Sequence, residues 1–459
     1  MSQQSEWFIA KSTIKAADKE HRRKLNFNIG KYNAVVPQGK QQFYDLELAR
    51  EKAKNTKWKA MENLGELLQD FEANISQRGV KVIWADDAEQ ALDAIGKICV
   101  SKNCKMLVKS KSMVTEEIHL NDYLIKQGVE SVETDLGEYI QQLDGEAPYH
   151  IVTPAMHKSK EDVAKLFAEK LGTDPSLTPE ELTLVARQIL RKKYAEAEIG
   201  VTGANFIIAD IGGIAVTENE GNARLSCSMP KTHIVVVGIE KMIPSINDLA
   251  LFWPLLATYG TGQKVTVYNT IITGARQEGE TDGPEDMYVI LLDNGRTTLL
   301  ANEKLRESLY CIRCGACLNT CPIYKNIGGH AYESTYSGPI GSVITPHLKG
   351  KEDWNHLSHA SSLCGSCTEV CAVKIKLHEL LLENRHEAVD EGHTDFVERA
   401  MWKIWKQAML HRRVMNFGTA KLKNQFVNKL IKGWTAHRSE LEFPKKSFNQ
   451  LWRDKYGDR

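Results

Sequence analysis

Cys311, Cys314, Cys317 and Cys321 follow one another at intervals of three, three and four residues, and Pro322 closes the run. This is the C-x2-C-x2-C-x3-C-P spacing that ligates cubane iron–sulfur clusters. Three thiolates converge on one cluster from a short loop, whose amide N–H groups then point at the sulfides. The fourth cysteine is carried away by the proline turn and reaches a neighbouring cluster. Iron–sulfur ligation takes precedence here over a structural zinc site.

A second run, Cys364, Cys367 and Cys371 followed by Ala372, aligns with the first from its C-terminal end. Crosswise ligation assigns Cys311, Cys314, Cys317 and Cys371 to cluster 1, and Cys321, Cys364 and Cys367 to cluster 2. The missing ligand position of cluster 2 falls on Ser361. Three completions stay open: a three-iron cluster, a four-iron cluster finished by Ser361 Oγ or water, or one finished by another side chain such as His356 or His359. Both histidines also read simply as exposed loop residues. The expected cofactors are two [4Fe-4S] clusters, the second held by three cysteines or present as [3Fe-4S]. Alanine instead of proline at 372 is a milder departure. Cys99, Cys104 and Cys227 fit no ligand spacing and read as small buried residues.

The 459 residues suffice for two to four domains. Fifty-nine basic residues balance 59 acidic ones, so global charge points to no polyanionic partner. The start of the chain carries no basic stretch followed by an apolar one, so no secretory signal is expected. No apolar run approaches the roughly 20 residues needed to span a bilayer. Thiolate clusters and unpaired cysteines fit a reducing compartment. The expectation is a cytoplasmic protein, at most peripheral to a membrane.

Residues 1–62 are highly charged and read as a helical leader that Pro37 and Gly39 break in the middle. From 63 to 300, helices alternate with strands. Strands are expected at 81–84, 106–109, 132–134, 150–152, 206–209, 233–237, 265–269 and 288–292. Helices are expected at 64–78, 88–102, 161–171 and 179–197, the last opened by Thr178, Pro179, Glu180 and Glu181. This alternation means an α/β domain with a largely parallel sheet. Residues 301–390 carry the cysteine runs on a helical scaffold, an α-helical dicluster ferredoxin-type domain, with a helix at 377–389. Residues 391–459 form a helical C-terminal tail, with Phe396, Met401, Ile404, Trp405 and Ala408 on one face. From 401 onward this tail has fourteen Lys or Arg, among them Arg412, Arg413, Lys421, Lys423, Lys429, Lys432, Lys445 and Lys446, against four Asp or Glu. Such a face is either merely solvated or docks to an acidic protein or anionic membrane surface. No nucleic-acid reading motif accompanies it.

Polar groups gather where strands should end. Lys109, with the serines that follow it, precedes a helix start and suits either an anion or simple N-capping. Asp135 and Glu138 lie at another strand end. Asp210, Gly212 and Gly213 allow close backbone approach or serve a plain turn, and Glu218 follows them. His157 is a candidate base. Ligands of open α/β sheets bind beyond the carboxyl ends of the strands, so Lys109, Asp135, Glu138, His157 and Glu218 are the catalytic candidates. No G-x-G-x-x-G fingerprint or P-loop is present, so nothing supports a tightly held flavin or nicotinamide.

Several segments together resemble one family. They are 112–117 (Ser-Met-Val-Thr-Glu-Glu), 133–138 (Glu-Thr-Asp-Leu-Gly-Glu), 203–206 (Gly-Ala-Asn-Phe) and 218–224 (Glu-Asn-Glu-Gly-Asn-Ala-Arg), followed by both cysteine runs. In that order they are similar to lactate utilization protein B over nearly the whole chain. The resemblance implies an α/β lactate-utilisation domain of the sugar-phosphate isomerase and CoA-transferase type. It also implies an iron–sulfur subunit that works with two other lactate-utilisation subunits in the cytoplasm, oxidising L-lactate to pyruvate and passing electrons to an acceptor it does not name. An electron-transfer role is expected over substrate turnover. The lack of a cysteine at 361 is implied to be a family trait, and no lactate-binding residue is carried over. The competing readings are an iron–sulfur subunit acting on another substrate, of the glycerol 3-phosphate or disulfide type, and a redox-sensing regulator.

Overall fold

The structure, a computed structural model, describes residues 2–394, 396–430, 435 and 438–457. Contacts divide the chain into two units, Met1–Glu391 and Gly392–Arg459.

The first unit is built on a six-stranded sheet in which every pairing is parallel. Ten strands occur in chain order among the described residues: β1 Lys81–Ala85, β2 Met106–Lys109, β3 Glu130–Glu133, β4 Ile199–Thr202, β5 Phe206–Ile208, β6 Gly213–Glu218, β7 Thr232–Gly238, β8 Met242–Ile243, β9 Tyr268–Ile272 and β10 Asp286–Leu292. The large sheet has the order β1-β10-β7-β4-β2-β3. Its middle strand β7, Thr-His-Ile-Val-Val-Val-Gly, is buried along its whole length, as a parallel strand covered on both faces requires. A second sheet, β8-β5-β6-β9, is mixed and smaller.

Helices between the strands begin where their caps predict. Thr178 and Glu181 form a reciprocal capping box with Pro179 in the first turn of Pro179–Glu196, and Ser159 with Asp162 does the same for Lys160–Leu171. The N-terminal helices Gln3–Ala17, Lys19–Lys40 and Leu46–Glu62 pack within this same unit. The helix Lys19–Lys40 runs through Pro37 instead of breaking there. Its last turns lie on the helix Leu249–Thr261 so closely that a Cβ on Gly39 would meet Gly262 O at 2.5 Å.

Two expected strands differ. Residues 150–152 form bends. Their backbone is satisfied by side chains: His150 Nδ1 accepts from the N–H of Val152 and Thr153, and Lys111 Nζ donates to Val152 O. The strand expected at 265–269 begins three residues later, because Tyr268 pairs with Glu218 while Val265 and Val267 stand exposed in the preceding loop. Gly212 and Gly213 serve the antiparallel turn between β5 and β6. Gly212 has φ +57°, and a Cβ there would meet Ile75 N at 2.3 Å.

The cysteine region follows β10 as short helices and 3-10 turns, closed by the helix Leu377–Asp390. Cys99 and Cys104 are buried, whereas Cys227 is only half-buried, its Sγ donating to Arg224 O. The second unit contains the helices Phe396–Leu410, Arg412–Asn416, Ala420–Leu430 and Phe448–Tyr456. Phe396, Met401, Ile404 and Trp405 are exposed on the first of them. Lys432 lies outside the described residues. Among the described residues no helix is long and apolar enough to cross a membrane.

Candidate functional site

The two cysteine runs share one local backbone design. Arg313 and Leu363, each preceding the second ligand position, have positive φ, as do Gly315 and Gly365 just after it. This left-handed pair curls each loop so that the N–H of Arg313 meets Cys311 Sγ and the N–H of Leu363 meets Ser361 Oγ. At Gly315 a Cβ would also come within 3.0 Å of Val152 Cγ2. Short helices follow in both runs, Ala316–Thr320 and Ser366–Glu369. Ser361 thereby stands where Cys311 stands in the first run.

Cys311, Cys314, Cys317 and Cys371 line one small buried cavity, walled by Ile151, Ile340 and Val373. Burial pushes the Cys371 thiol up to about 12, with Cys311 adding to the shift. The Cys314 thiol rises to about 12 for the same reason, with Cys371 and Cys311 as its charged neighbours. The other three cysteines act on one another. Burial and then Cys321 raise Cys367 to about 11, and Cys364 contributes to raising Cys321. Cys364 is exposed, and hydrogen bonds from Ser366 lower its pKa. Four thiols around one cavity, and three more grouped beside an exposed corner, fit two iron–sulfur clusters. Arg50, from the helix Leu46–Glu62, fixes the second run: its guanidinium donates to Cys371 O at 2.8 and 3.1 Å and to Glu369 O at 2.7 Å. Of the histidines considered for the open corner, His356 is half-buried against Phe8 and Trp354, and His359 is exposed.

A second cavity, about 380 Å³, opens beyond the carboxyl ends of the parallel strands. Its lining includes Lys111 and Ser112 after β2, Asp135 after β3, Asn205 after β4 and Lys241 after β7. Cys314, Arg313 and Tyr336 complete it from the cysteine region. Cys314 therefore belongs to both cavities.

The catalytic candidates divide around this cavity. Asp135 and Glu218 line it. Both also cap helices: Asp135 accepts from Gly137 and Glu138 N–H, and Glu218 accepts from Ala223 and Arg224 N–H. Burial raises the Glu218 carboxyl. Lys109 and Glu138 lie outside the lining. Lys109 is fully buried between Glu116 at 2.9 Å and Glu133 at 2.8 Å, so its charge is matched within the fold. Burial, then Glu133, holds the Glu138 carboxyl well above the usual range. His157 also lies outside the lining. It bonds Glu146 at 3.1 Å and stacks on Tyr149. Glu146, His157 and His330 bring possible ligand atoms within 4.8 Å of one another, with Lys158 already 2.9 Å from Glu146.

Family models match this arrangement piece by piece. A LUD domain covers residues 68–292, a 4Fe-4S dicluster domain covers 307–375, and a lactate utilisation protein B C-terminal region covers 383–456. Lactate utilization protein B of Anoxybacillus flavithermus is 42% identical over 90% of this chain and 92% of its own. That of Bacillus subtilis is 46% identical over 78% of this chain and 77% of its own. The chain belongs to the lactate utilization protein B family. Among solved structures, a DUF162 family protein from Deinococcus radiodurans is similar at 16% identity, covering 50% of this chain and 98% of that one with a TM-score of 0.29.

Within this member of the lactate utilization protein B family, a buried ion network joins the LUD part to the dicluster part. Arg296, 2% exposed, binds both oxygens of Glu117 at 2.9 Å and also pairs with Glu240. Tyr336 donates to Glu117 at 2.6 Å, and Arg313 lies over the Tyr336 ring and 3.6 Å from Glu240. Burial alone would raise Glu240, but Arg296, Lys241 and Arg313 hold it down at about 2. Charged residues that line the cavity but were not among the catalytic candidates are Lys111, Glu220, Lys241 and Arg313. Lys241 had one usable signal, its position just past the apolar strand 233–237. Arg313 was hidden inside the cysteine spacing.

Proposed function

We propose that this chain is the iron–sulfur electron-transfer subunit of a three-protein complex that oxidises L-lactate to pyruvate. Cys311, Cys314, Cys317 and Cys371 would hold one cluster, and Cys321, Cys364 and Cys367 the other. When bound, such clusters take up electrons singly, so a pair suits the two electrons released by a 2-hydroxy acid. The observation that carries the reading is that Cys314 lines both the buried thiol pocket and the cavity beyond the strand ends. The same thiol region ends at an exposed Cys364, where an acceptor can approach. The names of the relatives supply the lactate context, and two further lactate-utilisation subunits are the expected partners.

The test is to assemble the three subunits anaerobically, add L-lactate and follow the visible absorbance of the clusters. Bleaching with formation of pyruvate is expected. Unchanged absorbance in the fully assembled, cluster-loaded complex sinks the proposal.

A further inference from the structure

We infer that the cavity beyond the strand ends binds the carboxylate of a small 2-hydroxy or 2-oxo acid, with the Lys241 ammonium as its counter-charge. The identity of the acid rests on the proposed lactate oxidation; the anion site itself rests on the following geometry.

Three cationic side chains line the cavity. Lys111 is engaged: it donates to Val152 O at 2.9 Å and lies 3.4 Å from Asp135. Arg313 is held between Glu240 at 3.6 Å and the Tyr336 ring, with its buried Nη1 left without a hydrogen-bond partner. Lys241 differs. It is 7% exposed and makes no hydrogen bond or ion pair among the described residues; Glu240 and Cys311 act on it only from beyond contact distance. A buried ammonium without a partner is costly, so such a group points to an anion that joins it. Burial, and then Arg313, lowers the Lys241 pKa, against Glu240 and Cys311, which raise it.

The rest of the lining narrows the class of anion. Asp135, Glu218 and Glu220 share the cavity. Burial, then Asp135, raises Glu220 to about 7, a sign that this side already resists further negative charge. A phosphate ester or dicarboxylate would set a second anionic group against these carboxyls. A monocarboxylate with a neutral hydroxyl or carbonyl instead offers one charge to Lys241 and a hydrogen-bonding group to the acidic side. Val114, Val152, Ala204 and Leu256 supply apolar wall for a short carbon chain. A volume of about 380 Å³ lies at the small end of ligand pockets.

A competing explanation is that Lys241 only offsets the thiolate charge of Cys311, which acts on it. Calorimetric titration of the anaerobic, cluster-loaded chain with L-lactate, pyruvate and inorganic phosphate separates the two. The expected result is binding of L-lactate and pyruvate, with little or no binding of phosphate. Lys241→Met should weaken L-lactate roughly 10- to 100-fold, the worth of one charged hydrogen bond, and Lys241→Arg should restore most of it. Glu220→Gln, which keeps the size of the side chain, should change L-lactate affinity without loss of iron.

If Lys241→Met shifts the midpoint potential but leaves L-lactate affinity unchanged, the lysine serves the thiolates and the inference fails. Tighter binding of phosphate than of L-lactate also overturns it. If the complete complex is bleached by L-lactate while the loaded chain alone binds neither acid, the inference fails and the proposed function stands. If the chain binds L-lactate but the complex is not reduced, the reverse holds.

Discussion

Ser361 occupies in the second cysteine run the position that Cys311 occupies in the first. Ser361 Oγ accepts the N–H of Leu363 at 3.0 Å, and Cys311 Sγ accepts the N–H of Arg313 at 3.4 Å. Both donors have positive φ, +53° and +59°. The two loops therefore share one backbone conformation, with an oxygen at 361 in place of the sulfur at 311. An alcohol is a much poorer iron ligand than a thiolate at neutral pH, so, with the cysteines ligating as proposed, this corner would be the labile one.

Ser361→Cys should consequently introduce a fourth thiol without moving the backbone. We expect the variant, purified anaerobically, to retain a full set of irons through a brief exposure to air better than the parent, and to change the EPR signal of the second cluster only. Identical spectra and identical iron loss would mean that residue 361 does not face the cluster.

Arg50 lies far from the cysteines in sequence, yet its guanidinium makes three hydrogen bonds to the carbonyls of Glu369 and Cys371. Arg50→Met removes them and strands buried acceptors, at a cost of about 3 kcal/mol. The loss should fall on the cluster that uses Cys371. The check is iron content together with the thermal midpoint under anaerobic conditions. Full iron occupancy with an unchanged midpoint would show that the loop needs no such clamp.

The cysteine spacing, the parallel sheet and most of the helices were legible because each depends on local pattern: ligand intervals, β-branched runs and capping residues. The readings at 150–152 and 265–269 failed for a non-local reason. At 150–152 side chains, His150 and Lys111, satisfy the backbone in place of a neighbouring strand, and at 265–269 the partner strand sets the register. Among the site candidates, Asp135 and Glu218, read from strand ends, line the cavity. Lys109 does not: its neutralising partners Glu116 and Glu133 come together only in the fold. Lys241 also lies just past a strand end, but its burial without a hydrogen bond or ion pair belongs to the fold, and no spacing in the sequence reveals it.

Arg296 and Glu117 form the centre of the network joining the sheet to the first cysteine loop, and both are almost wholly buried. Arg296→Met would leave Glu117 and Glu240 without their main counter-charge. Removing one partner of such a buried pair typically costs about 3–5 kcal/mol. Glu117→Gln should cost less, since an amide oxygen still accepts from Arg296. Denaturant midpoints of the two variants, measured side by side, test this order. Equal midpoints, or a milder Arg296→Met, would show that the network adds little.

His233 supplies a pH dependence whose sign is fixed by burial. It lies on β7, is fully buried, and its Nε2 is 2.8 Å from Thr202 Oγ1. Burial pushes its pKa from 6.5 down to about 3. Below pH 6.5 the unfolded chain takes up a proton that the native imidazole refuses, so this residue's contribution to stability falls as the pH falls, until about pH 3. The slope approaches about 1.4 kcal/mol per pH unit. Buried carboxyls with raised pKa values, Glu138 and Glu220, act in the opposite direction, so the parent's total slope does not isolate the histidine. A comparison does. His233→Gln keeps a group able to bond Thr202 but cannot titrate. Relative to pH 8, the parent should lose about 2 kcal/mol more than His233→Gln by pH 5. Parallel stability curves for the two proteins between pH 8 and pH 5 would mean that His233 is protonated in the folded state after all.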